Sequence, residues 1–433
     1  MAILNFSFSN LDAFREKAHV EFTLNDRDAT QGWTRNTPTG QRYTTLLCAV
    51  GANAAGKTSV LRALSFLLSF MRDSFHRPVQ AGIGLVPFGV IGKDANRPSE
   101  FEIEFEDVEG VRWEYELRCT RQLVIYERLR RRKPGGSYRQ VFTRELKDKT
   151  SGESKARAGL SPPAQASEDQ PPAAYSITQG ETPTKLPVQM AATVRSNVSF
   201  ISFARQFGVK LMHDCLLETR PMDMLVSEGR ASNSQLLREA SRHLHREPEL
   251  LEDVKRYLRR WDLGLADIQL VEMTSKASSP SPSKLAAAIA PLAPEVMALG
   301  VHQAGDHYFA LDFQQESSGT RAAFVLLRHM LQALRSGGVA LIDELDATLH
   351  PHMIEPILRL FDDVKTNPVG AQLLCTLQNP HALSLLAPAQ VLFVEKAEGA
   401  SSVYRGDEIQ GLKAEHNLTR KYLSGALGAV PQL

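Results

Sequence analysis

A chain of 433 residues with 43% hydrophobic content can bury the core of one large domain or two ordinary ones. Fifty Lys and Arg stand against 49 Asp and Glu, a net charge of +1, which excludes a broad electrostatic footprint for nucleic acid and leaves only a local basic patch to consider. Cys48, Cys119, Cys215 and Cys375 are scattered with no CxxC pair, against a zinc knuckle or disulfide framework and in favour of reduced thiols. Met1–Asn10 lacks the pattern of a secretory signal, and Val60–Met71 is interrupted by Arg62 and too short to span a bilayer. The expectation is a cytoplasmic protein with no membrane partner.

Ile3 onward and Ala18–Leu24 alternate as strands, and Thr44–Val50 is a compact apolar run that reads as a buried strand. A glycine-rich loop follows, then helical spacing from Ser59 to Phe70, with Val60, Leu61, Leu64, Leu67 and Leu68 on one face. Phe101–Glu106 and Trp113–Arg118 alternate strictly about the turn Val108-Glu-Gly110, which predicts a half-exposed antiparallel hairpin. The basic run Arg128–Lys133 reads as a solvated hairpin end rather than a nucleic-acid patch, since only Tyr126 and Tyr138 accompany it.

Residues 149–190 are rich in Pro, Ser, Ala, Gln and Glu without periodic apolar positions, and read as a flexible insertion. Ser232–Trp261 is helical, with Leu250, Leu251, Val254, Tyr257, Leu258 and Trp261 on one stripe, the packing face of a helical arm. His243 and His245, two apart on a helix, are poor joint metal ligands. Ser275–Ser283 is a polar break. A strand at Tyr308–Phe313, a helix at Arg321–Leu334 and the run Val339–Glu344 close an α/β core with mostly parallel central strands. This divides the chain into 1–148, the insertion 149–190, a helical region 191–298, and 299–433.

Gly51-Ala-Asn-Ala-Ala-Gly-Lys57-Thr58 fits GxxxxGK[ST], and each fixed position has a physical task in holding polyphosphate. The glycines let backbone N–H groups turn inward, Lys57 reaches the outer phosphates, Thr58 offers its hydroxyl to Mg²⁺, and the following helix presents its positive end. Val339-Ala-Leu-Ile-Asp343-Glu344 resembles a Walker B strand ending in two acids, in which Asp343 would hold the Mg²⁺ and Glu344 would orient and polarise the attacking water. Glu316-Ser-Ser-Gly-Thr320, ahead of a helix, adds a second anion-binding end suited to a γ phosphate.

Gly51, Asn53, Gly56, Lys57 and Thr58, then Glu316–Thr320, then Asp343–Pro351, resemble the RecF/OLD-like branch of ABC ATPases. Asn197 with Phe203–Phe207, Val391–Lys396 and Tyr422–Pro431 resemble more narrowly the AbiL- and RloA-type ATPases of abortive-infection modules. The resemblance implies an ABC-ATPase head of α/β class, with a mixed sheet, an antiparallel β subdomain and an inserted helical region. It implies ATP held by Gly51, Asn53, Gly56, Lys57, Thr58 and Ser59, catalysis by Glu344, Lys57 and Gln378, and Mg²⁺ on Thr58 and Asp343. In its head-to-tail homodimer, Ser317 and Gly319 complete the site in trans and His350 ends the dimer-contacting loop.

Two departures from the pattern stand out. Gln378 occupies the place of the family's switch histidine; it donates a hydrogen bond but takes up no proton, so slow turnover is expected. The Q-loop is not legible, and its nearest candidate, Val86-Pro-Phe-Gly89, holds no glutamine. The Toprim nuclease acids of OLD-type enzymes are also missing, which points to a regulatory ATPase whose effector, a nuclease or toxin, is a separate polypeptide. Two rivals stay open: a RecF- or SMC-like DNA repair ATPase that clamps nucleic acid, and a scaffold using ATP structurally.

Overall fold

Leu46–Val50 (β5) is apolar and buried throughout, the composition of a strand covered on both faces. In the computed structural model it is the central strand of a five-stranded sheet. Parallel β15 (Gln372–Thr376) and β16 (Val391–Ala397) flank it, β14 (Val339–Ile342) extends the sheet beyond β15, and β17 (Ala400–Arg405) closes the other edge antiparallel to β16. The structure describes all residues except 26–31, 90–96, 148–173, 181–184, 213–232, 262–263, 274–294, 348, 414–415 and 431–433. Cys215, Ser232, the break at 275–283 and Pro431 therefore lie outside the described residues.

A second sheet is antiparallel throughout. Its strands are β1 (Ala2–Ser9), β2 (Ala18–Glu21), β6 (Ser99–Glu106), β7 (Arg112–Cys119), β8 (Val124–Arg132), β9 (Arg139–Leu146) and β10 (Tyr175–Gln179), in the order β10-β9-β8-β7-β6-β1-β2. Phe101, Ile103 and Phe105 of β6 point inward while Glu100 and Glu102 face out, as strict alternation requires. The first helix, α1 (Lys57–Asp73), lies between the sheets, and its Phe66 ring sits 4.9 Å from that of Phe101. A single apolar face is thus too narrow a description of this helix: Ser59, Ala63, Ser65 and Phe70 are buried too, because both sides are covered.

A small hairpin pairs β3 (Thr34–Asn36) with β4 (Arg42–Thr44), and a third sheet pairs β11 (Asp267–Met273), β12 (Glu295–Ala304) and β13 (His307–Asp312). The remaining helices are α2 (Val188–Ala191), α3 (Phe200–Gln206), α4 (Asn233–Arg246), α5 (Pro248–Arg260), α6 (Ser318–Ser336), α7 (Pro351–Arg359) and α8 (Leu418–Leu423). Leu237 and Leu244 of α4 and Leu250, Val254 and Leu258 of α5 share a core with Phe324 and Leu327 of α6. The continuous helical run expected up to Trp261 is two helices, because Pro248 starts a new one at a position where its missing N–H costs nothing.

Three expectations need amendment. Within the insertion 149–190, Tyr175–Gln179 pairs with β9, held by the Tyr175 hydroxyl donating to Val124 O (2.8 Å) and by the Arg144 guanidinium over its ring. Residues 191–298 are not purely helical, since β11 and the start of β12 fall there. The basic run Arg128–Lys133 does close β8 at its hairpin with β9, but Arg128 and Arg130 are not simply solvated, since they pair with Glu114 and Glu116 on β7. Their charge is neutralised locally. Among the described residues no helix is long and apolar enough to cross a membrane.

Candidate functional site

β5 delivers the chain into the loop Gly51–Gly56, and α1 begins at Lys57. The loop presses so closely on β16 that a Cβ at Gly51 would stand 2.1 Å from Val394 O. Gly56 adopts φ 104°, a conformation natural to glycine, and Ala54 adopts φ 61°. Asn53 is exposed and Ser59 buried. The Lys57 ammonium folds back over the loop, donating to Gly51 O (2.8 Å) and Ala52 O (2.9 Å). Burial pushes its pKa below the ordinary lysine value, and the carboxylates of Asp343, Glu344 and Asp346 work against that shift.

Opposite the loop, β14 ends at Ile342 and turns through Asp343 and Glu344. Thr58 Oγ1 donates to Asp343 Oδ2 (2.9 Å), and Thr376 Oγ1, at the end of β15, donates to Asp343 Oδ1 (2.6 Å). Glu344 has φ 49°, in the left-handed region that residues with a Cβ rarely enter. Its backbone N–H donates to Thr376 Oγ1 (2.7 Å), and its carboxylate accepts from Gln378 Nε2 (2.7 Å). Asp346, two residues on, accepts from the backbone N–H of Gln378 (3.0 Å) and Asn379 (2.6 Å). Lys57, Thr58, Asp343, Glu344 and Gln378 thus meet in one place.

Ser317 and Gly319 do not join them through any described hydrogen bond. Ser317 caps its own helix, accepting from Thr320 N (3.1 Å), and is exposed. His350 caps α7, its Nδ1 accepting from His352 N (3.3 Å). His243 meets Gln332 and Glu247 while His245 meets Glu272, so the two rings serve different neighbours. Thr376 and Asp346 are the site residues that sequence reasoning missed as such. Asp346 stood inside the quoted acidic run, whereas nothing local in the sequence marks Thr376.

A loop with inward backbone, a lysine and a hydroxyl facing a carboxylate make a polyphosphate cradle. A Thr hydroxyl beside one carboxylate suits Mg²⁺, which takes few protein oxygens and completes its shell with phosphate and water. The fold and this constellation define a P-loop ATPase of the ABC/AAA type, built on an α/β core with mixed and antiparallel sheets. The sequence matches the family described as "AAA domain, putative AbiEii toxin, Type IV TA system" over residues 48–166 and 222–384, well over half of the chain, and the protein belongs to that family.

No curated protein matches the sequence. Among solved structures, the SmcHead bound to the C-winged helix domain of ScpA aligns at 12% identity and TM-score 0.43, covering 94% of this chain and 97% of that one. The SMC head domain from Thermotoga maritima aligns at 13% and 0.38 (94% and 99%), and the recombination mediator protein RecF with ATPrS at 11% and 0.37 (93% and 98%). At these TM-scores the likeness carries no argument, and the fold class rests on this chain's own sheets and helices.

Proposed function

We propose that this protein binds ATP with Mg²⁺ and hydrolyses it slowly as a head-to-tail homodimer, regulating a separately encoded effector in an anti-phage, abortive-infection module of the AbiL/RloA type. The observation that carries the reading is the division of the site. Lys57, Thr58, Asp343, Glu344 and Gln378 converge, while the helix end at Ser317, which is exposed, and Gly319, which is half-buried, shares no described hydrogen bond with them. A γ phosphate held by this loop would need those donors from a second copy. The family description, which speaks of a toxin system, supports the defence setting.

In this reading Lys57 and the loop N–H groups hold the phosphates, Thr58 and Asp343 hold the Mg²⁺, and Glu344 orients and polarises the attacking water. Gln378 orients Glu344 without supplying a titrating group, which suits low turnover. The rival in which the dimer clamps DNA draws no support from Arg128 and Arg130, whose charges are met by glutamates.

A Glu344→Gln variant should bind ATP, hydrolyse it about 10²-fold or more slowly, and accumulate as the dimer. Wild-type hydrolysis by that variant would remove Glu344 from catalysis, and a monomer under saturating ATP would refute the shared site. Failure of the purified protein to bind the product of the adjacent reading frame, or to alter its toxicity, would refute the defence role.

A further inference from the structure

Thr376 has one hydroxyl proton and uses its oxygen in both directions. The Glu344 N–H can only donate and the Asp343 carboxylate accepts, so the hydroxyl accepts from the first at 2.7 Å and donates to the second at 2.6 Å. Its side chain is fully buried, and its place at the end of β15 is fixed by pairing with Ala49 of β5, two residues before the phosphate loop. One group therefore ties the metal-site acid, the water-polarising acid and the strand that bears the loop.

We propose that Thr376 is the positioning residue of the hydrolytic step, holding Glu344 in its left-handed conformation and fixing the face that Asp343 turns to Thr58. The inference rests on the reading of Glu344 as the residue that acts on water. The φ of 49° at Glu344 is unfavourable for a side chain with a Cβ, so the surrounding contacts must hold it. Thr376 supplies two of them, since its carbonyl also accepts from Leu345 N (3.1 Å). The amides on either side of Glu344, its own N–H and that of Leu345, are both bonded to Thr376, so the φ and ψ between them are held. Asp346 secures the opposite side by gripping the backbone of Gln378 and Asn379, so that the Gln378 amide reaches Glu344 Oε1. The cradle itself, Gly51 to Lys57, makes none of its described contacts through Thr376.

ATP binding and hydrolysis should therefore separate. In Thr376→Val and Thr376→Ala, kcat should fall about 10- to 100-fold, the scale of an ångström's misplacement, with KM for ATP held within about threefold. Thr376→Ser, which keeps the hydroxyl, should stay within about threefold of wild type in both. The valine and alanine variants should also need more Mg²⁺ for half-maximal rate, because Asp343 has lost one of its two hydroxyl partners. Thermal unfolding of each variant identifies folded protein; should valine not fold, alanine and serine decide by the same criteria.

Wild-type turnover without the hydroxyl, a serine variant as slow as the valine one, or KM rising in step with the fall in kcat would overturn the inference. Glu344→Gln is measured beside them. If it is inactive while Thr376→Val is not, only the role of Thr376 falls; if it hydrolyses normally, the reading of Glu344 falls first.

Discussion

Gly51→Ala should damage both stability and nucleotide binding, chiefly because its Cβ has no room, on top of a φ of 159° that side chains rarely adopt. The added Cβ would stand 2.1 Å from Val394 O and 3.2 Å from Val394 C. A carbon and a carbonyl oxygen rest at about 3.3 Å or more, so the gap must open by roughly an ångström. Neither side yields easily, because Val394 is within β16 and pairs with Val403, while β5 is paired on both edges up to the loop. Overpacking of this kind costs about 1–3 kcal/mol. The displacement falls on the carbonyls of Gly51 and Ala52 that hold Lys57 Nζ, so ATP affinity should fall about 10- to 100-fold, equivalent to roughly 1.4–2.8 kcal/mol.

Urea unfolding and calorimetric titration with ATP measure the two effects, and Gly399→Ala is the control. Gly399 has φ 85° with nothing within 4 Å of a would-be Cβ, so alanine there should cost about 1 kcal/mol of conformational strain and leave ATP affinity unchanged. Wild-type stability and affinity in Gly51→Ala, or an equal loss of binding in the control, would refute the reasoning.

Two further outcomes concern stability. Glu127 and Arg144 are both fully buried and lie 3.4 Å apart, and Glu127 also accepts from Tyr115 Oη (2.9 Å), Ser199 Oγ (2.6 Å) and Phe200 N (2.9 Å). Glu127→Ala should lose about 3–5 kcal/mol in urea unfolding by removing the counter-charge of a buried guanidinium left with hydrogen bonds to the Val198 and Arg195 carbonyls, and a loss below about 1 kcal/mol would count against that account. His329 is held well below the usual imidazole range, first by burial and then by Arg328 and His243, and its Nδ1 accepts from Arg328 Nη1 (2.7 Å). Because the folded pKa lies below the unfolded one, His329 has no effect above about pH 6.5; as pH falls further the unfolded chain gains a proton that the folded one refuses. Stability should drop by up to about 1.4 kcal/mol per pH unit below that point, and His329→Gln should show a shallower loss between pH 7.5 and 5.5; equal slopes would contradict it.

What could be read in advance was whatever repeats locally. The period of two in Phe101–Glu106 and Trp113–Arg118 foretold β6 and β7, which pair from Glu106↔Arg112 across the expected turn. The phosphate loop was legible because its spacing is itself the chemistry. The long-range contacts were not: Thr376 reaches Asp343 across a strand pairing, and nothing near residue 376 encodes that. Strand β10 was hidden for a related reason, since its polar Tyr-Ser-Ile-Thr-Gln is stabilised by the edge of β9 rather than by its own pattern. Pro248 was visible, but the helical reading ran through it from Ser232 to Trp261, so the break into two helices went unmarked.

The central position of β5 has a bearing on how the molecule is made. Leu47 pairs with Leu374 and Cys48 with Val391, partners that leave the ribosome after nearly all the intervening chain. Until they arrive, Lys57 and Thr58 have no fixed carboxylate opposite, and closing so long a span is a slow event in folding. The phosphate site is therefore completed late, after the strands that flank β5 have been made.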